Sequence, residues 1–269
     1  VIGFFDSGFG GLTILKKVVQ LLSEYDYLYL GDNARVPYGN RSQKTVYEFT
    51  KQAVDFLFKQ GCPLIIIACN AASAKALRKI QQEFLPGAYP DRRVLGVIRP
   101  SAEEVVERGC KKIGILATEG VVVSKAYVTE INKLSSSVEI FQQSCPLLVP
   151  IVEAGEQDWE GTDMIVSKYL GELFAHDNEI DTILLACTHY PILYNNFKRC
   201  VPSKVVILEQ GPIVAKKLQN YLIRHQEIDK KLLKGGKRSF LTTDASEKFD
   251  RLAGIFFGES VDSELVSLG

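Results

Sequence analysis

The chain lacks an excess of charge: its 269 residues hold 32 basic and 32 acidic side chains. Nothing electrostatic therefore points to nucleic acid or to an anionic membrane as a partner. No apolar run approaches the ~18 residues of a membrane span. A strand is predicted from Val1 to Phe5, which leads to the expectation of no signal peptide. The six cysteines never form C-x-x-C and never take disulfide-framework spacing. This disfavours a thioredoxin-like centre and a paired-ligand zinc site, and suits reduced thiols in a cytosol. Of only three histidines, His176 and His225 lie in polar helical stretches and read as solvated surface residues. No lysine stands prominently at a strand end, as Schiff-base chemistry would want. Both nucleotide signatures are missing as well. In Asp6-Ser7-Gly8-Phe9-Gly10-Gly11, Thr13 occupies the place of the third glycine of the dinucleotide motif, and no Gly-Lys-Ser/Thr follows.

What is present is an alternation of strand and helix patterns over a length that suits one large domain or two ordinary ones. Strands are predicted at Val1–Phe5, Tyr27–Leu30, Leu64–Ala68, Val94–Ile98, Lys112–Leu116, Val138–Phe141, Thr182–Ala186, Val205–Leu208 and Ser239–Thr242. Between them lie amphipathic stretches such as Lys44–Lys59, where Val46, Phe49, Ala53, Phe56 and Leu57 recur at helical spacing behind a Ser42 cap. Such alternation argues for an α/β fold with parallel sheets and right-handed crossovers. The tail from Glu259 to Gly269 reads as a surface segment or a short edge strand.

A weak internal repeat runs through the strands. Ile2-Gly3-Phe4-Phe5-Asp6 resembles Ile113-Gly114-Ile115-Leu116-Ala117, and Val97-Ile98-Arg99-Pro100 resembles Ile207-Leu208-Glu209-Gln210. The expectation is two pseudo-symmetric α/β lobes, each a mostly parallel sheet flanked by helices, with an active site in the cleft between them. The first lobe would take residues 1–95 plus 207–269, and the second 96–206.

Two cysteines fall where strands should end. Cys69 closes Leu64–Ala68 in the words Ala68-Cys69-Asn70-Ala71, and Cys187 closes Thr182–Ala186 in Ala186-Cys187-Thr188-His189. Ligands of open α/β sheets sit at the carboxyl ends of strands, so the pair suggests a symmetric task with one thiol on each side of a substrate. His189 is close enough in sequence to stabilise a thiolate or relay its proton. A single-thiol hydrolase would leave the second cysteine without a purpose. Cys62, Cys110, Cys145 and Cys200 read as packed residues. The turn Asp6–Gly11 could bind an anion at a helix start or be a plain strand-to-helix turn. The loop Gly31-Asp32-Asn33-Ala34-Arg35-Val36-Pro37-Tyr38-Gly39 could close over a ligand or simply connect.

Taken in order, these words resemble the glutamate racemase family, cofactor-independent enzymes of the aspartate/glutamate racemase superfamily. The resemblance runs nearly end to end. It continues through Cys145-Pro146, Val149-Pro150 and Glu153, then Cys187-Thr188-His189-Tyr190-Pro191, and ends in Thr242-Thr243-Asp244. It implies two lobes and interconversion of L- and D-glutamate for peptidoglycan synthesis, with no cofactor and no metal. It further implies that Cys69 takes the α-proton of D-glutamate with Asp6 assisting, and that Cys187 takes that of L-glutamate with His189 assisting. Ser7, Pro37, Tyr38, Gly39, Asn70, Ala71 and Thr188 would contact substrate, and Asp32 and Glu153 would be supporting carboxylates. A cytoplasmic homodimer acting on a small molecule, with neither nucleic acid nor membrane as partner, is the expected setting.

The chain departs from the family pattern at four places. Ala71 stands where the family has threonine after Cys-Asn. Val121 does so in Thr118-Glu119-Gly120-Val121-Val122-Val123-Ser124. Arg99 and Glu209 stand where family members often have glutamate and aspartate. The first two changes would remove substrate donors, each worth roughly 1.5–3 kcal/mol toward a charged group. They leave open racemisation of another acidic amino acid such as aspartate, or a catalytically weak binding relative.

Overall fold

A computed structural model describes residues 1–244 and 246–268. Its ten strands form two separate sheets in which every pairing is parallel. They are β1 (Ile2–Asp6), β2 (Tyr27–Gly31), β3 (Leu64–Ile67), β4 (Arg93–Gly96), β5 (Lys112–Ala117), β6 (Glu139–Ser144), β7 (Thr182–Ala186), β8 (Val206–Glu209), β9 (Arg238–Thr242) and β10 (Ser263–Leu265). All nine predicted strands are present. Ile98, predicted as strand, instead opens the helix Ile98–Glu107. The tail does contribute an edge strand, β10, hydrogen-bonded to β9; Gly269 lies outside the described residues.

The chain divides into two compact units, 1–97 with 211–269 and the uninterrupted segment 98–210. The first holds the sheet β10-β9-β2-β1-β3-β4 and the second the sheet β6-β5-β7-β8. Central strands β1, β3 and β7 are buried at every position. That is why they read as unbroken apolar runs rather than alternating ones: helices cover both faces of a parallel sheet. At the edge, β6 is only half-buried. The expected lobe boundary between 206 and 207 cuts strand Val206–Glu209, leaving residues 207–209 to the first lobe. The whole strand pairs with β7 in the second sheet instead.

The repeat is real at the level of register. In the first unit β1 pairs with β2 and β3, and β3 with β4; in the second β5 pairs with β6 and β7, and β7 with β8. Ile2 sits opposite Leu64 as Ile113 sits opposite Thr182. The pairing of Val97-Ile98-Arg99-Pro100 with Ile207-Leu208-Glu209-Gln210 is misaligned by three residues. Leu64 faces Arg93 and Thr182 faces Val206, so Val94, not Val97, corresponds to Ile207. Val97 follows the strand and Ile98 is already helical, so the shared Val/Ile pattern crossed an element boundary.

Three helices of the first unit carry the site. Helix α1 (Leu12–Leu21) buries Leu12, Ile14, Leu15, Val18 and Val19, an i, i+3, i+4 stripe. Helix α2 (Gln43–Lys59) starts where the Ser42 hydroxyl accepts the Thr45 N–H at 3.2 Å. Helix α3 (Asn70–Lys75) has Cys69 as its N-cap residue. The α1 turn is tight: a Cβ on Gly11 would lie 2.7 Å from Asp6 Cβ and 2.9 Å from Ala68 Cβ. Only glycine lets the start of α1 lie this close to the ends of both β1 and β3.

Candidate active site

In the first unit the carboxyl ends of β1 and β3 bring Asp6, Ser7 and Cys69 together. Asp6 Oδ2 accepts the Gly8 N–H at 3.0 Å, and Tyr29 supports the same turn by donating its hydroxyl to Gly8 O at 2.9 Å. Cys69 Sγ lies 3.5 Å from Ser7 Oγ and is 6% exposed. Burial, and after it the Asp6 carboxylate, pushes the Cys69 thiol up to about 12; hydrogen bonds from the Ser7 hydroxyl and the N–H groups of Ala72 and Ser7 pull the other way. Asp6 therefore does not assist by favouring the thiolate, since its charge opposes it. Asn70 and Ala71 form the first turn of α3 and are both buried.

The loop after β2 is organised by Asp32, which is fully buried. One of its oxygens accepts from Arg35 Nε at 2.7 Å and from the Tyr38 hydroxyl. The other accepts from Thr243 Oγ1 at 2.8 Å. Burial and the adjacent Asp32 hold Tyr38 far above the usual phenol range, so it stays protonated. Its one hydroxyl proton is thus committed to Asp32, and the side chain has no donor left for a ligand. Pro37 is exposed, Gly39 half-buried. Arg35 and Thr243 were not singled out from sequence. Both bond to Asp32, Arg35 from the same loop and Thr243 from just past the end of β9, and only the Thr242-Thr243-Asp244 word hinted at the second. A cavity of ≈ 520 Å³ is lined by Asp32, Arg35, Thr243, Leu265 and Leu268 among others. Neither Cys69 nor Ser7 lines it, so it is a neighbour of the loop and not the thiol site.

In the second unit the end of β7 supplies Cys187, Thr188 and His189, all buried. His189 Nδ1 lies 4.0 Å from Cys187 Sγ and 3.5 Å from Thr188 Oγ1, while Nε2 lies 3.1 Å from Glu153 Oε1. Glu153 comes from the helix Leu148–Ala154. Burial alone would lower the imidazole, but the hydrogen bonds and charges of Cys187 and Glu153 outweigh it and raise His189 to about 10. The ring thus bridges a sulfur and a carboxylate, placed to relay a proton between them. The chain is locked below it, with Tyr190 N–H donating to Cys187 O and the Tyr190 hydroxyl to Cys145 O, each at 3.1 Å.

Other sequence expectations resolve differently. Val121 is completely buried, so the side chain at this position belongs to the core rather than to an open binding wall. Nearby, Thr118 Oγ1 at the end of β5 is buried without a hydrogen-bond partner among the described residues. Cys62 and Cys145 are buried, and Cys110 and Cys200 half-buried. His176 is exposed. His225 is half-buried, not solvated: it stacks on Tyr221 at 4.0 Å, its Nδ1 2.8 Å from Tyr221 O. Among the described residues no group of three or more His, Cys, Asp or Glu could hold a metal ion, and no helix is long and apolar enough to cross a membrane.

Comparison with known proteins places the chain. The Asp/Glu/hydantoin racemase family model matches residues 2–218. A glutamate racemase of a Sulfurihydrogenibium species is 37% identical over 269 residues, 99% of this chain and 97% of that protein. Among solved structures, glutamate racemase of Francisella tularensis in complex with D-glutamate aligns with TM-score 0.87 at 33% identity, covering 99% of this chain and 97% of that one. The glutamate racemase isoform RacE1 of Bacillus anthracis aligns with TM-score 0.90 at 31% identity, covering 100% and 97%.

Proposed function

The chain belongs to the Asp/Glu/hydantoin racemase family, and from that premise we propose that it interconverts L- and D-glutamate with Cys69 and Cys187 as paired acid and base. One observation carries the reading: two thiols follow equivalent strands, β3 and β7, of sheets in which β2-β1-β3-β4 and β6-β5-β7-β8 share one order. Inverting a Cα needs a base toward one face and an acid toward the other. One sulfur, as thiolate, takes the α-proton: the Cα–H bond breaks and an S–H bond forms. The other, as thiol, delivers its proton to the opposite face, and the protonation states end exchanged. Cys187 with His189 and Glu153 acts as base toward L-glutamate, and Cys69 beside Asp6 toward D-glutamate.

A thiolate is a weak base for an amino-acid α-proton, so the site must lower the energy of the developing enolate. Donors aimed at the α-carboxylate in a water-excluded site do this. Ser7, Asn70 and Thr188 flank the two sulfurs and serve as substrate donors, and Thr118 adds an unsatisfied hydroxyl on the β5 side. Pro37, Tyr38, Gly39 and Ala71 shape the wall, while Asp32 holds that wall in place. The D-glutamate formed would feed peptidoglycan synthesis in the cytoplasm. The protein works as a homodimer, which light scattering on the purified chain checks.

The test is racemisation of each enantiomer of glutamate and of aspartate in D₂O. Deuterium is expected at Cα of the product enantiomer of glutamate before it appears in recovered substrate, because the acid thiol exchanges with solvent while the base holds the abstracted proton. Cys69→Ala and Cys187→Ala should each lower kcat/KM by at least roughly 10²–10⁴-fold, the range of a single acid–base group. Exchange with aspartate alone would make the altered residue Ala71 a marker of a different substrate. No exchange with either amino acid would sink the enzymatic reading.

A further inference from the structure

We propose that Lys75 is a positioning residue, its ammonium clamping the loop that carries Pro37, Tyr38 and Gly39 onto the helix that Cys69 caps. Lys75 is the last residue of α3. Helical side chains lean toward the N-terminus of their helix, so its long stem reaches back toward the Cys69 end. There Nζ donates to Gly39 O at 2.9 Å and to Arg41 O at 2.7 Å.

The arrangement is unusual for a lysine. Its side chain is half-buried, and among the described residues no carboxylate pairs with it. Burial accordingly lowers its pKa, against a smaller opposing pull from Cys69. An ammonium withdrawn from water is costly unless its donors are used, and here two carbonyls use them. Both belong to one short stretch, between Tyr38 and the Ser42 cap of α2. That stretch is otherwise held by the Arg41 N–H to Tyr38 O turn bond at 3.2 Å and, at its front, by Tyr38 on Asp32. Asp32 therefore fixes the loop from the β2 side and Lys75 from the β3 side. The second link ties the loop to the element that begins at a reactive thiol. Lys75 touches neither sulfur nor substrate; it acts through the backbone it holds.

The inference rests on the racemase reading for its kinetic arm but has a second arm that does not. Lys75→Met keeps the stem and removes the charge; Lys75→Arg restores donors. In Lys75→Met, KM for both enantiomers of glutamate should rise about tenfold, the equivalent of one charge-assisted hydrogen bond, with kcat changed much less. L- and D-glutamate are equally stable, so kcat/KM must remain equal in the two directions. Amide hydrogen exchange across 39–42 in the unliganded protein should quicken on the order of tenfold in the same variant, while β1 and β3 keep their protection. Lys75→Arg should return both readouts most of the way. Unchanged loop exchange in Lys75→Met, or identical behaviour of the Met and Arg variants, overturns the clamp. A wild-type protein that racemises nothing but whose loop still loosens in Lys75→Met would refute the racemase reading and leave the clamp standing.

Discussion

At the scale of single residues, the two thiols sit in electrostatically opposite surroundings. Cys69 has a carboxylate beside it and is pushed up, whereas Cys187 has an imidazolium backed by Glu153. The His189 proton is also linked to folding. Its pKa in the fold is about 10 against an ordinary 6.5, so the folded state binds this proton more tightly than the unfolded chain does. Stability from it is fully present below about 6.5 and is lost as pH climbs through about 10. Urea midpoints of wild type and His189→Gln should therefore differ most near pH 6 and converge toward pH 10. A gap that stays constant over that range would show that His189 contributes only packing. His189 and both cysteines were legible in the sequence because each sits within three residues of a strand end. The sign of Asp6's influence was not, since it depends on how closely two strand ends approach.

At the scale of elements, the loop after β2 is built from reaches across the sequence. Asp32 gathers Arg35, Tyr38 and, from the end of β9, Thr243, and Lys75 comes from α3. Replacing Asp32 by Asn turns an acceptor-only group into one that presents donors to donors. It should cost about 2 kcal/mol or more in unfolding free energy. Tyr38→Phe should cost about 1 kcal/mol, because Asp32 keeps its other two partners. Chemical denaturation of both variants gives the order, and equal costs would show that Asp32 is not the hub of the loop. Strands, and helix α2 with its Ser42 cap, could be read locally because periodicity and capping are local signals. Tyr38 could not. A phenol in a Gly- and Pro-bounded loop looks available for a ligand until the carboxylate that holds it is seen. The burial of Val121 was hidden for the same reason, since nothing in its neighbours announces it.

At the scale of the molecule, the alternation of strands and helices revealed the fold class, and two repeated words revealed the duplicated strand order. The sheet order itself was hidden, because β2 pairs with β9, Tyr27 opposite Arg238, and no local pattern records a partner so far along the chain. The two units also differ in how they are assembled from the sequence. Residues 98–210 are continuous and contain their whole four-stranded sheet, whereas 1–97 lack β9 and β10. The segment 98–210 alone should therefore unfold cooperatively in urea with an α/β circular dichroism spectrum, and 1–97 alone should not. Failure of the 98–210 segment to fold would mean that its stability is borrowed from the rest of the chain.

The β2–β9 pairing also sets an order of events during synthesis on the ribosome. The thiol-bearing strand β3 leaves early, yet the sheet around it stays open on the β2 side until residues 238–242 have emerged. Throughout that interval β2 presents an unpaired apolar edge, the kind of surface that recruits chaperones or misassociates. Meanwhile the later thiol, Cys187, can already lie in a finished unit. The half of the chain translated first is thus the half that matures last.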